Sequence, residues 1–156
     1  YCAYDVSTGK VIVIYRYNGT EFRLRVGTVS GNSISWGAAQ TSSTASTTIY
    51  QDIKAENGHV TFTYANKTRV GSYSGNTITF GTEQTIPFSD GNTNSDYNVM
   101  TLDPNTGTYM LGAPRNGTDK ALEVFAATRS GTTLTFGSLN SWTLIKFIVI
   151  SDFKQT

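Results

Sequence analysis

Histidine and cysteine each occur once in these 156 residues, as His59 and Cys2, and proline only three times. A single cysteine excludes an internal disulfide framework and argues strongly against a cysteine-based metal centre. Cys2 itself reads as a small buried residue. The single histidine stands directly ahead of a strand, as a half-exposed position, which leaves a Ser-His-Asp or Cys-His relay with no spaced partner. Charge is scarce too. Lys and Arg number 12 against 11 Asp and Glu, a formal net charge of +1, and no basic run is present to grip a phosphate backbone or an anionic lipid surface. Nucleic acid is therefore not expected as a partner. The most apolar stretch, "TLIKFIVI" from Thr143 to Ile150, contains Lys146 and falls far short of the roughly 20 residues that span a bilayer, so no membrane insertion is expected.

What is abundant is Gly, Ser, Thr, Asn and Tyr, a composition suited to β-structure punctuated by turns. One phrase is written three times: "VGTVSGNSISWG" (Val26 to Gly37), "VGSYSGNTITFG" (Val70 to Gly81) and "AATRSGTTLTFG" (Ala126 to Gly137). Each follows a segment that aligns on Gly9, Gly58 or Gly107, spaced 49 residues apart in both intervals. A recurrence of about 50 residues marks a repeat architecture. The expected repeats are about 1–45, 46–92 and 93–140 of a single domain, 1–156, with 141–156 as an extra strand. The chain opens at Tyr1 inside strand-like sequence, which suggests a piece of something longer or a processed product.

Within each repeat the apolar period is two, the signature of strands. The first repeat predicts strands at about 1–6, 10–17, 21–30 and 33–41. The second predicts 48–55, 59–65, 68–74 and 77–85, and the third 97–103, 108–113, 120–130 and 133–139. Short intervening loops force antiparallel neighbours, so each repeat is expected to be a four-stranded meander. The fold class is thus all-β, three antiparallel meanders arranged as β-propeller-like blades. A β-trefoil is the alternative, although it leaves the last strand surplus and the Gln-x-Trp pattern common in trefoil lectins is missing.

The repeated phrase has the chemistry of a hairpin. Gly31, Gly75 and Gly131 supply the positive φ required at the first central position of a type II′ turn. Beyond the turn, Ile34 with Trp36, Ile78 with Phe80 and Leu134 with Phe136 fall on one face. Trp36, Phe80 and Phe136 are expected to form the repeated core by closing each unit on its neighbour. Gly37, Gly81 and Gly137, directly after them, predict a bulge or a close backbone approach. The middle repeat is shorter, with 22 residues from Gly58 to Phe80 against 27 from Gly9 to Trp36, which predicts a clipped central hairpin.

These repeats, "YDVSTGKVIVIYRYNGTEFRLRVGTVSGNSISWG" above all, resemble a propeller-like class found in tail and fibre proteins of aquatic bacteriophages and in bacterial surface proteins. The resemblance spans about Tyr1 to Gly137 and implies a structural module at a virion or cell surface. The hairpin phrase is also similar to the Asp-box of sialidases, Ser-x-Asp-x-Gly-x-x-Trp, in Ser30 and Trp36. It departs from that pattern in Asn32, Asn76 and Thr132, and such boxes are structural staples. A sialidase would further need three convergent arginines, and Arg16, Arg23, Arg25, Arg69, Arg115 and Arg129 occupy repeat positions that do not converge. No catalytic residue is assigned.

Other candidates are weighed against plainer roles. Asp5 and Asp103 hold the same place in two repeats, with Lys54 between, and read as Asx-turn residues. "SDGNTNSD" (Ser89 to Asp96) lacks the bidentate Glu and the ligand spacing of a calcium loop, so no metal and no cofactor are expected. Asn18, Asn66 and Asn116 each begin an Asn-x-Thr glycosylation pattern, but all three fall in predicted turns. Tyr15, Tyr17, Tyr64 and Tyr109 are the candidates for ligand binding, since a ring face complements a pyranose.

In the tail, Leu144, Ile145, Phe147, Ile148, Val149 and Ile150 place apolar groups on both faces of one strand, which must then be covered on both. Residues 143–151 are expected either to begin a next blade or to join a neighbouring subunit through an open strand edge. The functional expectation is a non-enzymatic, self-assembling structural or adhesive module of a tail fibre or extracellular filament. Its partners would be copies of itself and a cell-surface glycan, its place the virion surface or the cell exterior. A carbohydrate-binding lectin with repeat-related sites is the alternative, and a sialidase-like glycosidase ranks third.

Overall fold

A computed structural model describes residues 1–19, 21–44, 51–88, 98–114 and 122–142. Their regular structure is all strand, in three antiparallel sheets. The first contains β1 (Cys2–Asp5), β2 (Lys10–Tyr17), β3 (Glu21–Ser30) and β4 (Ser33–Trp36) in spatial order, with β5 (Gln40–Thr44) also on β3. The second contains β6 (Gln51–Glu56), β7 (His59–Tyr64), β8 (Lys67–Ser74), β9 (Thr77–Phe80) and β10 (Gln84–Thr85), the last two both on β8. The third is β11 (Val99–Asp103), β12 (Thr108–Pro114), β13 (Leu122–Ser130) and β14 (Thr133–Trp142) in chain order. Among the described residues no strand of one sheet pairs with a strand of another, whereas the barrel of a trefoil requires such pairing. The tail from 143 and the linkers 45–50 and 89–97 lie outside the described residues.

The turns obey the expected chemistry. Gly31, Gly75 and Gly131 have φ of 55°, 58° and 56°, and the residues after them are not in the positive region, which is the type II′ pattern. The central hairpin of the second sheet is indeed clipped, with only Ala65 and Asn66 between β7 and β8.

The fourth strand departs from expectation in two sheets. Positions 33–41 and 77–85 do not run as single strands: they break at 37–39 and 81–83 and resume as β5 and β10. The first residue of each break still closes the ladder, Gly37 N–H to Val26 C=O at 2.9 Å and Gly81 N–H to Val70 C=O at 2.8 Å. The third sheet absorbs the same irregularity as a bulge between Phe125 and Ala127, and β14 runs on to 142.

Alternation along the strands gives every sheet two faces, here called front and back. The front of the first sheet (Ile12, Ile14, Phe22, Leu24, Val26) packs on the back of the second (Ile53, Val60, Phe62, Tyr64, Ile78). The second seam puts Val70, Ile86 and Phe88 against the back of the third sheet, where Met100, Tyr109, Leu111, Phe125 and Leu134 are buried. Burying each such side chain contributes about 1.5–3 kcal/mol, so the seams between sheets hold the fold together. Phe80 joins the first seam edge-on to Phe62, with centroids 6.1 Å apart, and Phe136 meets Phe125 similarly at 6.2 Å.

Two expectations fail for one reason, that the back of the first sheet has no sheet behind it among the described residues. Trp36, expected in the core, is 40% exposed. Cys2, expected to be buried, is exposed on the same face.

Candidate functional site

Strand β9 is an edge, and Ile78, opposite Tyr73, sits one step beyond the hydrogen-bonded pair next to the turn. Its N–H and C=O therefore point away from β8 and need partners from elsewhere. Gln40 of the first sheet supplies both: its Oε1 accepts from Ile78 N–H at 2.6 Å and its Nε2 donates to Ile78 C=O at 3.3 Å. The next seam repeats the arrangement, with Gln84 holding Leu134 N–H and C=O at 2.8 Å each. Three residues before each glutamine stands the glycine that admits the neighbouring turn. A Cβ on Gly37 would lie 2.6 Å from Asn76 O, and one on Gly81 would lie 2.5 Å from Thr132 O. The sequence signal is Gly-x-x-Gln after the aromatic, "WGAAQ" and "FGTEQ", and the third copy reads "FGSLN" with Asn140 at the glutamine position. Hydrophobic periodicity does not reveal it, because a glutamine in a strand reads as a solvent-facing residue.

Carboxylates tie the same seams. Asp5 makes the expected Asx turn with Ser7, Oδ1 accepting from its N–H at 2.9 Å and its hydroxyl at 2.7 Å. Its Oδ2 also crosses to the second sheet, accepting from Gly58 N–H at 2.8 Å and from the Tyr73 hydroxyl. Burial opposes ionisation of Asp5, but the hydrogen bonds from Ser7, Tyr73, Gly58 and Thr8 outweigh it and hold the carboxyl well below the usual range. In the second seam Glu56 Oε1 accepts from Tyr109 Oη at 2.6 Å and Arg129 Nε at 3.2 Å, while Asp52 Oδ2 accepts from Met100 N–H at 2.7 Å. Burial, then the Glu56 carboxylate, pushes the Tyr109 hydroxyl up to about 12. Asp103, in the place of Asp5, bonds only within its own turn among the described residues, to Asn105 N–H and the Thr106 hydroxyl. Thr106 and Asn105 lower its pKa.

The sequence-predicted ligand residues do not gather. Tyr64 and Tyr109 are buried, bonded to Glu83 and Glu56, so their ring faces are not presented to a sugar. Tyr17 is exposed, with the Arg23 guanidinium 3.5 Å over its ring, and Tyr15 is half-buried on the back of the first sheet. Asn18 is an exposed turn residue with φ of 48°, and Asn66 is half-buried in the β7–β8 turn. Asn116 and Arg115 lie outside the described residues. Four arginines have separate partners: Arg16 the Gly19 carbonyl and Arg23 Glu21 within the first sheet, Arg69 the carbonyls of Gly81 in its own sheet and Ser42 in the first, and Arg129 Glu56 across the second seam. His59 is half-buried and bonded through Nδ1 to Asn57 C=O at 2.9 Å.

Among the described residues, what remains open for recognition is the two outermost faces. The back of the first sheet exposes Tyr4, Tyr17, Ile34 and Trp36. The front of the third sheet carries an apolar groove of about 380 Å³ whose lining includes Val99, Met110, Leu122 and Val124. No family model, no curated protein and no solved structure matches the chain. Among the described residues no helix is long and apolar enough to cross a membrane.

Proposed function

We propose that the chain is a self-assembling structural module built from three β-propeller-like blades, serving a tail fibre or an extracellular filament. The observation that carries this reading is the repeated seam: one glutamine clamp and one glycine contact join the first sheet to the second, and the same pair joins the second to the third. A device used twice in register is a rule for adding sheets. The first strands also lie closest together, β1 against β6 and β6 against β11, as the inner strands of propeller blades do. The virion or extracellular setting rests on the sequence resemblance alone. Negative-stain electron microscopy of the purified chain is expected to show rings or filaments, and uniform monomers at every concentration would overturn the reading.

The exposed aromatic side chains on the back of the first sheet, Tyr4, Tyr17 and Trp36, favour a lectin as the second reading, since exposed rings stack on sugars. A glycan array separates the two. Saturable binding of one glycan class supports the lectin, and its absence supports the building block.

A further inference from the structure

We propose that the front of the third sheet is the docking site for the back of the first sheet of a second copy of this chain, head to tail. The inference rests on the self-assembly reading and names its interface. Both seams inside the chain join one front to one back, and the two faces left open among the described residues are one of each kind.

Equivalent positions show what those faces have lost. Ile34 is 43% exposed, whereas Ile78 and Leu134, its counterparts in the other sheets, are 5% and 2% exposed because a preceding front covers them. Met110, 48% exposed, stands three residues after Gly107 as Ile12 stands after Gly9, and Ile12 is fully buried against the second sheet. Each open face is therefore a copy of one that is buried elsewhere in the same molecule.

The locking parts are present as well. Gly137 follows Phe136 as Gly37 follows Trp36, yet among the described residues a Cβ there would approach only Ala126 O of its own sheet, at 3.2 Å. Among the described residues nothing takes the space filled by Asn76 or Thr132 in the inner seams, and Asn32 of the second copy would fill it. Thr128 occupies the place of Thr28, whose hydroxyl donates to Asn76 Oδ1 at 3.1 Å, and so faces the same incoming turn. The outward N–H and C=O of Ile34 would meet the Asn140 amide, at the position of Gln40 and Gln84. A head-to-tail contact between unlike faces closes into a ring if its rotation allows and otherwise grows a filament.

The test uses the full chain and two variants, Met110→Asp on the front of the third sheet and Ile34→Asp on the back of the first, in sedimentation velocity from 1 to 200 µM. Wild type is expected to associate with concentration, and each variant alone to associate on the order of 100-fold more weakly, because a lone carboxylate is then buried in an apolar seam. Mixed at equal amounts, the variants should form a heterodimer and stop there, since only one intact front and one intact back remain. Far-UV circular dichroism monitors folding, and Val99→Asp or Tyr4→Asp replaces a variant that fails to fold. Wild-type association that persists in either single variant overturns the assignment of faces while leaving self-assembly standing. A wild type that stays monomeric throughout overturns both.

Discussion

Gln84 holds the main chain of Leu134 with both ends of its amide, so a residue of the second sheet completes the edge strand of the third. Replacing it leaves a buried N–H and a buried C=O unpaired at once. Gln84→Ala is expected to lower the stability of the chain by about 2–6 kcal/mol, at 1–3 kcal/mol for each unsatisfied group. Urea denaturation measures it. A loss below about 0.5 kcal/mol, the range of an ordinary surface substitution, would refute the clamp.

Gly81→Ala drives a methyl group into the carbonyl oxygen and Cβ of Thr132 in the neighbouring turn, which no rotamer change relieves. The expected cost is about 1–3 kcal/mol, with Gly37→Ala similar and Gly137→Ala smaller, because overpacking scales with what must move. Thermal unfolding of the three variants should reproduce that order, and equal losses would contradict it.

Asp5 gives stability an acid limit. Its pKa is depressed in the folded chain, so the carboxylate stabilises fully above its unfolded value near 4, and that contribution is lost as pH falls from there toward the folded pKa. Asp5→Asn should cost about 1.5–3 kcal/mol at neutral pH, the worth of hydrogen bonds to a charged group, and the gap to wild type should narrow below pH 4. Denaturant midpoints at pH 7 and pH 3 check the sign. Tyr109 acts at the other end of the scale: its raised pKa keeps its contribution intact below about pH 10 and removes it as pH climbs toward 12.

Thr63 is fully buried and its hydroxyl has no hydrogen-bond partner among the described residues, at a position where the first sheet carries Ile14. Thr63→Val keeps the shape and discards an unpaired polar group. A gain of about 1 kcal/mol or more is expected in urea denaturation, and any loss would mean that the hydroxyl is satisfied in solution.

Ala65 opens the β7–β8 turn with φ of 49°, where a Cβ is strained. Ala65→Gly relieves about 1–2 kcal/mol of strain against about 0.5–1 kcal/mol of added chain entropy, so a net rise of up to about 1.5 kcal/mol is expected in the same assay.

The strands, the type II′ turns and the clipped middle hairpin were legible in the sequence because each depends on residues within one turn or one alternation. Asp5 shows where legibility stops. Its Asx turn with Ser7 is local and was readable, but its bonds to Gly58 and Tyr73 cross more than 50 residues and follow only once the sheets are laid face to face. Trp36 and Cys2 carry the same lesson. Each looks like a core residue by type, yet exposure depends on whether another sheet stands behind the first, and composition holds no record of that. Gln40 and Gln84 left a trace in the Gly-x-x-Gln recurrence, which a search for apolar period alone passes over.

In each seam the carboxylates, Asp5 in one and Asp52 and Glu56 in the other, reach forward, and the amides, phenols and guanidinium that answer them reach back. The array consequently has a polarity, like a row of plugs and sockets. A sheet inserted upside down would set acid against acid, whereas one duplicated in tandem arrives with its fittings already facing the proper way. Lengthening such a protein by gene duplication then requires no new contact chemistry.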